Sequence, residues 1–297
     1  MALNKVSMLI MQVMIGTIFI DVVFCSSRSI ATPIRGCNSQ SCGDLAIPFP
    51  FGLDKGCYRE PPVLFQIHCL KSTPYLFNSS FEVKDISVLK GEVTIILPIA
   101  QDCYSENGTQ LTNGTRDVTR SLNEFFSVSY NKNKFYSIGC DNSATITGSR
   151  RDKNYTTGCI SSCSYADEID LKSCSGVGCC RTSIPRELVN YGLKLGSNNN
   201  HRSVWSFNQC SYAFVMQETA FKFSSFQEFN NDSMFPVVLD WAVGFNSCQV
   251  AIENMTTDYA CKENSVCVNS TSRPGYLCRC SEGYQGNPYL PNGCIGT

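Results

Sequence analysis

The sequence predicts a secreted, mainly β, disulfide-rich fold, and three observations support this prediction. The N-terminal segment is typical of a secretory signal peptide, because Lys5 precedes an uncharged run from Val6 to Ile20 and small residues follow. The 297 residues include 19 cysteines but only two histidines, which favours a disulfide framework over zinc sites. Apolar and polar residues alternate in several short runs bounded by turn residues, which indicates β-strands.

The signal peptide is predicted to span residues 1–27. Its removal takes away Cys25 and leaves 18 cysteines, an even number that allows up to nine disulfides. Asp21 ends the apolar run, which is shorter than the roughly 20 residues of a membrane-spanning helix. No second apolar run of that length follows, so we expect a mature extracellular or cell-wall protein with no transmembrane helix of its own.

The composition excludes several classes of protein. Hydrophobic residues make up 43% of the chain and charged residues 16%, which favours a folded core over disorder. The net charge of −1 gives no overall field for nucleic acid. Residues 111–215 carry 12 Lys and Arg against 8 Asp and Glu, whereas residues 216–297 carry 4 against 8. An anionic ligand would bind more readily to the middle region. The alternative is that this uneven distribution of charge along the chain arises by chance.

Residues 37–103 form the first predicted cysteine-rich module, with five cysteines. Apolar residues alternate over 86–88 and over 93–97, and Lys90-Gly91 lies between them as a turn. This pattern predicts a β-hairpin that Pro98 ends.

Residues 104–247 form the second predicted segment. The alternating runs 126–130 and 136–140 flank a polar turn and predict a second hairpin. Residues 185–193 are predicted to form a short helix, with Ser183 near its start. The adjacent Cys179 and Cys180 are not expected to bridge each other, because neighbouring residues strain the disulfide geometry. Residues 236–242 are expected to lead out of the segment.

N-glycosylation is expected on an extracellular chain that contains so many Asn-x-Ser/Thr sequons. The acceptor positions are Asn78, Asn107, Asn113, Asn154, Asn231, Asn254 and Asn269.

No catalytic motif is recognisable. The sequence contains neither a G-x-S-x-G elbow nor an H-E-x-x-H helix, and no phosphate-binding loop or kinase signature. His68 and His201 stand alone and are expected to be structural or solvated. We therefore expect no enzymatic activity, no cofactor and no metal site. A glycosidase would need two facing carboxylates, which the sequence neither favours nor excludes.

Binding of a saccharide is the better-supported class. Aromatic faces pack against sugar rings, and Lys or Arg pairs with the carboxylates of acidic sugars. Two regions offer such side chains. The candidates are Phe49, Phe51, Lys55, Tyr58 and Arg59 in the first region, and Arg150, Arg151 and Lys153, near Lys132 and Lys134, in the second. The alternatives are core packing for the two phenylalanines and a solvated loop tip for the second region.

Residues 248–294 resemble an epidermal-growth-factor-like (EGF-like) module, through six cysteines and the ending "CRCSEGYQGNPYLPNGC". Spacing alone allows 15 connectivities. The resemblance implies the pairs Cys248–Cys267, Cys261–Cys278 and Cys280–Cys294. Many such modules bind calcium through acidic residues before the first cysteine, but residues 244–247 contain no carboxylate, so no calcium site is expected.

"CGDLAIPFPFGLDKGCY" resembles the galacturonan-binding module in the ectodomain of plant wall-associated receptor kinases. "FYSIGCDNSATITG", "TGCISSCS", "CSGVGCC" and "VVLDWAVG" are similar to the cysteine-rich segment that follows it. The resemblance covers residues 36–294 and implies an extracellular β-rich protein that binds pectin, meaning polygalacturonate and its oligomers.

Members of that family are expected to continue with a second EGF-like repeat, a transmembrane helix and a cytosolic kinase. This sequence ends at Thr297 without them, which predicts a soluble ectodomain form or a truncated product. The leading hypothesis is binding of acidic cell-wall polysaccharide. The alternative is a soluble interaction or decoy module that engages a receptor or co-receptor protein through the EGF-like unit.

Overall fold

Twenty β-strands dominate the computed structural model. It describes residues 36–37, 41–60, 63–76, 79–111, 115–122, 125–150, 153–230, 232–254 and 259–297, so the predicted signal peptide lies outside the described residues. The strands are β1 (Ser41–Cys42), β2 (Leu45–Ala46), β3 (Ile67–Leu70), β4 (Thr73–Leu76), β5 (Glu82–Ser87), β6 (Glu92–Pro98), β7 (Ala100–Cys103), β8 (Asp117–Ser121), β9 (Phe126–Val128), β10 (Asn133–Ile138), β11 (Asp141–Arg150), β12 (Lys153–Ser162), β13 (Cys179–Ser183), β14 (Asn190–Gly196), β15 (Cys210–Gln217), β16 (Met234–Trp241), β17 (Ser265–Asn269), β18 (Tyr276–Cys280), β19 (Tyr284–Gly286) and β20 (Cys294–Gly296).

Helices are short in the described residues. One α-helix, α1 (Cys248–Glu253), begins after Ser247, whose hydroxyl accepts a hydrogen bond from the backbone N–H of Val250. Four 3-10 helices span Val63–Phe65, Ala166–Glu168, Glu218–Ala220 and Phe226–Glu228. The prediction of a mainly β, disulfide-rich fold is confirmed.

Three larger sheets contain most of the strands, and all their pairings are antiparallel. Sheet I has the order β3-β4-β5-β6-β16-β9, sheet II the order β13-β10-β15-β7, and sheet III the order β12-β11-β14-β8. The pairs β1-β2, β17-β18 and β19-β20 form small two-stranded sheets. The predicted hairpin of residues 86–97 is confirmed by the pairing of β5 with β6.

Strands from distant parts of the chain share sheets. Strand β16 lies between β6 and β9, so the segment that was expected to lead out of the second unit is an inner strand of sheet I. Strand β7 pairs with β15, and Cys103 opposite Cys210 forms a disulfide. Residues 37–103 and 104–247 therefore contribute strands to the same sheets.

The predicted hairpin of residues 126–140 is wrong, because its two strands lie in different sheets. Strand β9 pairs with β16 in sheet I, whereas β10 pairs with β13 and β15 in sheet II. The buried side-chain amide of Asn133 fixes this crossing. It donates hydrogen bonds to the carbonyls of Ser129 and Val238 and accepts one from the Val238 N–H.

The predicted helix of residues 185–193 is also wrong. Tyr191, Leu193 and Leu195 are buried on one face of β14, with half-exposed or exposed residues between them, which is the period of a strand. Glu187 has a φ of 62°, which is incompatible with a right-handed helix.

Sheet II is buried on both faces and separates two hydrophobic clusters. Phe135 and Val215 point into the first cluster, and Tyr136 and Phe214 point into the second. The first cluster also contains Phe51, Phe65 and Trp241 from sheet I and its surroundings, together with Leu277 and Tyr289 of the EGF-like module. The EGF-like module is thus packed on the first cluster.

Nine disulfides join the 18 described cysteines. Cys179 pairs with Cys174 and Cys180 with Cys159, so the adjacent cysteines do not bridge each other. In the EGF-like module the structure forms the three pairs that the resemblance implies. The remaining pairs are Cys37–Cys57, Cys42–Cys69, Cys103–Cys210 and Cys140–Cys163.

Candidate ligand-binding site

The opening stretch, defined as residues 41–60, is held against sheet I by disulfides and backbone hydrogen bonds. Cys57 is bonded to Cys37, and Cys42 is bonded to Cys69 on β3. Gly52 receives a hydrogen bond from Ile67 N and donates one to Phe65 O. A Cβ on Gly52 would lie 2.1 Å from the Cys57 carbonyl oxygen, so only glycine fits this crossing of two backbones.

Phe51 is a core residue, and its prediction as a sugar contact is wrong. Its side chain is 0% exposed. The ring makes edge-to-face contacts with Phe65, at 5.2 Å between centroids, and with Trp241, at 5.4 Å. A ring enclosed in this way has no face to offer a ligand. The structure shows the alternative for Phe51, which is packing in the core.

The other two aromatic candidates in the opening stretch are only partly accessible. Phe49 is half-buried against the first cluster, and its carbonyl accepts a hydrogen bond of 2.6 Å from the Asn287 amide of the EGF-like module. Tyr58 is 6% exposed. Burial and a hydrogen bond to Glu60 raise the pKa of the Tyr58 hydroxyl. Phe49 is therefore the one aromatic candidate of this stretch with a partly accessible ring.

The basic candidates of the opening stretch reach the surface more readily than the aromatic ones. Lys55 is exposed and Arg59 is half-buried. Asp54 and Glu60 are exposed neighbours in sequence, so the formal charges of residues 54–60 balance. Any preference for an anion must come from the directions of these side chains rather than from a net positive field.

Arg279 is a basic residue near this stretch that the sequence analysis missed. Burial raises the pKa of the Tyr289 hydroxyl, and the positive charges of Arg59 and Arg279 oppose that rise. Both guanidinium groups therefore lie within electrostatic range of one buried hydroxyl. Arg279 is exposed on β18. No local pattern indicates this proximity, because it depends on the packing of the EGF-like module against the first cluster.

The second basic region lies at the turn between β11 and β12. Arg150 and Lys153 are opposite each other at the end of this hairpin, and Lys153 is exposed. Arg151 lies outside the described residues. Lys132 and Lys134 belong elsewhere, because they lie 3.6 Å from Glu92 and 3.9 Å from Glu218, in ion pairs.

The histidines do not form a catalytic site. His201 is 0% exposed and stacks on Tyr104. Its ring nitrogens contact the Asn208 carbonyl, at 2.9 Å, and the Ser211 hydroxyl, at 3.0 Å. This Ser–His contact is closed to a substrate, because Ser211 is 1% exposed. His68 lies on the exposed face of β3.

A cleft of about 420 Å³ brings Asp44 and Glu82 together between the β1-β2 hairpin and β5. Asp44 is exposed, and Glu82 forms an ion pair with Lys84. Among the residues that the structure describes, no group of three or more His, Cys, Asp or Glu side chains is placed to hold a metal ion.

The sequons within the described residues all lie at the surface. Asn107, Asn154, Asn254 and Asn269 are exposed. Asn154 directly follows Lys153 on β12, so a glycan there would lie beside the second basic region. Asn78, Asn113 and Asn231 lie outside the described residues.

Comparison with known protein families finds a match in the opening region. Residues 37–97 match the sequence model described as wall-associated receptor kinase galacturonan-binding. This match covers the opening stretch and sheet I as far as β6. No solved structure matches the chain.

Curated relatives match most of the chain. Wall-associated receptor kinase 2 of Arabidopsis thaliana is 37% identical over 266 residues, which are 88% of this chain and 34% of the relative. Wall-associated receptor kinases 3 and 5 of the same plant are each 36% identical, over 85% and 89% of this chain. The chain spans about 35% of the length of these two relatives. In the part of the chain that the structure describes, no helix is both long and apolar enough to cross a membrane.

Proposed function

We propose that this chain, which is a wall-associated-kinase-like ectodomain, binds acidic cell-wall polysaccharide outside the cell. The observation that supports the proposal most directly is the match of residues 37–97 to a galacturonan-binding module. Nine disulfides across the described residues fit an oxidising extracellular compartment. The ligand is polygalacturonate or its oligomers, and the chain binds it without catalysing a reaction.

Recognition rests on pairing between cations and the galacturonate carboxylates. Lys55 is an exposed point charge, and the guanidinium groups of Arg59 and Arg279 can each engage a carboxylate through two N–H donors. These residues come from the opening stretch and from the EGF-like module, which the hydrogen bond between Asn287 and Phe49 joins. The binding surface therefore spans both modules.

Charge balance limits the strength of each contact. Residues 37–97 contain five Lys and Arg against six Asp and Glu, so the module has no positive field to concentrate a polyanion. Exposed ion pairs contribute about 0–1 kcal/mol each. A polymer that presents many carboxylates compensates through repeated engagement. We therefore expect binding that increases with oligomer length and decreases with salt.

The second basic region is a competing location for the same ligand. Arg150 and Lys153 lie at the turn end of the β11-β12 hairpin, and the sequence of residues 150–153 carries three positive charges and one negative charge. An N-glycan on Asn154 would restrict access to that turn. The alternative of a protein partner, engaged through the EGF-like module, is not favoured by the comparisons, which point to the polysaccharide.

The experiment measures binding of the purified, glycosylated chain to polygalacturonate at increasing salt. We expect affinity to fall with salt, because screening weakens exposed charge pairs, and to fall with methyl-esterification, which removes the carboxylate charge. The variant Lys55→Gln/Arg59→Gln should weaken binding, and Arg279→Gln should do so to a smaller degree. The matched control is Lys194→Gln, which removes an exposed lysine from β14 of sheet III.

Several outcomes would contradict the proposal. Absence of binding at low salt, or affinity that ignores salt and esterification, would exclude recognition of an acidic polysaccharide. If Arg150→Gln/Lys153→Gln weakens binding and the Lys55 and Arg59 variant does not, the ligand lies at the β11-β12 turn instead.

A further inference from the structure

A second cleft lies far along the sequence from the opening stretch. It has a volume of about 710 Å³, which is within the range of small-molecule sites. The face of sheet II that carries the second cluster forms its floor through Cys210 and Tyr212. Three segments form its walls: residues 166–169, residues 206–209 and residues 224–229.

Aromatic rings line this cleft at two depths. Tyr212 and Phe229 are 6% and 4% exposed and belong to the second cluster, where their ring centroids lie 5.3 Å apart. The Tyr212 hydroxyl donates a hydrogen bond to the Phe229 carbonyl, so this floor is fixed. Phe207 and Phe226 are only half-buried and line the cleft above the floor. Each ring offers a partly accessible face to a ligand.

Three neutral polar side chains of the cleft are available to a ligand, whereas the side chains of Asn208 and Ser224 are already hydrogen-bonded within the protein. Ser206, Gln209 and Gln227 line it, and their side chains make no hydrogen bond within the described residues. Each amide can donate and accept at the same time, which suits the hydroxyl groups of a sugar. No Lys, Arg, Asp or Glu is among the lining residues.

The surroundings of the cleft disfavour an anion. The charged residues interleaved with the lining ones are Asp167, Glu168 and Glu228, all of them acidic. Hydrogen bonds from the backbone N–H and hydroxyl of Ser224 and from the N–H of Ser225 lower the pKa of Glu228, which keeps its charge. A galacturonate carboxylate entering here would meet no cation and would lose hydration without compensation.

We propose that this cleft binds an uncharged saccharide, with sugar C–H faces against Phe207 and Phe226 and sugar hydroxyls on Gln209 and Gln227. The ligand is a neutral oligosaccharide or the neutral part of a polysaccharide. The chain then recognises two kinds of sugar in two places, an acidic one on the surface that carries Lys55 and a neutral one in the cleft beside the second cluster.

The test is titration calorimetry of the full chain with neutral hexasaccharides built from glucose, galactose or arabinose. Fully methyl-esterified and unesterified hexagalacturonate form two further arms. We expect at least one uncharged saccharide to bind. Phe226→Ala and Gln209→Ala should each weaken that binding about tenfold, because the first removes a ring that packs against the sugar and the second removes an amide that hydrogen-bonds its hydroxyl groups.

Matched controls are available on the same chain. Phe245→Ala removes an aromatic ring that is 50% exposed, and Gln285→Ala removes an exposed amide on β19. Neither should change the affinity for the neutral sugar, and the cleft variants should bind polygalacturonate as the parent does. The proposal is overturned if no uncharged saccharide binds, if unesterified hexagalacturonate competes equally for the cleft, or if the cleft and control variants behave alike.

Discussion

The opening stretch and the second cleft use aromatic residues in opposite ways. Phe51 is enclosed by Phe65 and Trp241 and organises the first cluster. Phe226 lies on a covering segment and keeps part of its ring at the surface. The difference shows that a conspicuous aromatic motif can mark the core of a module, whereas ligand-accessible rings come from an inconspicuous segment.

The two regions also differ in the interactions that fix their backbone. The opening stretch is fixed by disulfides and by ring packing, which do not depend on protonation. One wall of the cleft, residues 206–209, follows a turn that is held by a single carboxylate. Asp141 accepts hydrogen bonds from the backbone N–H groups of Asn198, Asn199 and His201. The His201 ring then contacts the Asn208 carbonyl in that wall.

The largest expected effect separates a core ring from a cleft ring. Phe51→Ala should lower the free energy of unfolding by about 3–5 kcal/mol, because it leaves a cavity among fully buried rings. Phe226→Ala should lower it by about 1 kcal/mol, because the ring is only partly buried. Urea unfolding followed by tryptophan fluorescence measures both. A Phe51→Ala variant that keeps its stability but loses polygalacturonate binding would restore Phe51 as a ligand contact.

A smaller effect is expected within the opening stretch itself. Gly52→Ala should lower the free energy of unfolding by about 2–3 kcal/mol, because the new Cβ meets the Cys57 carbonyl and the backbone must shift. The control is Gly56→Ala. Its φ of 83° is strained for alanine but its surroundings are open, so a loss of about 1 kcal/mol is expected. Equal losses in urea unfolding would show that the close approach at Gly52 relaxes easily.

Alternation of apolar and polar residues predicted the positions of strands well and the pairing of those strands poorly. The alternation on both sides of Lys90-Gly91 corresponds to a hairpin in the structure. Two runs with a two-residue repeat, separated by a short turn, specify adjacent strands. The same alternation in residues 126–140 gives two strands in different sheets. The Asn133 amide, which joins the crossing to Val238, is invisible to a periodicity argument.

The candidate sites show the same limit. The residue type alone identifies Lys55 as a candidate, and its side chain is exposed. The proximity of Arg279 to Arg59, around the Tyr289 hydroxyl, depends on how the EGF-like module packs. The neutral cleft depends on sheet II having a second buried face, covered by residues 221–229. Nothing in the spacing of Phe207, Gln209 and Phe226 indicates that they share a cleft.

The smallest effect tests the polar support of the cleft through pH. Burial alone would raise the pKa of Asp141, but hydrogen bonds from Ser197 and from the N–H groups of His201, Asn199 and Asn198 lower it below its usual range. A lowered pKa in the folded state means that the charged carboxylate stabilises the fold at pH values above the unfolded pKa of about 3.9. This contribution is lost as the pH falls through the folded pKa.

Asp141→Asn should therefore lower the free energy of unfolding by about 1–2 kcal/mol at pH 7, since it removes charge-assisted hydrogen bonds. The deficit relative to the parent should shrink as the pH falls below about 4. The control is Asp117→Asn, an exposed aspartate at the start of β8, which should change stability little at either pH. A deficit that stays constant with pH would mean that Asp141 acts through shape rather than charge, and the contrast between a pH-independent opening stretch and a pH-dependent cleft wall would then be lost.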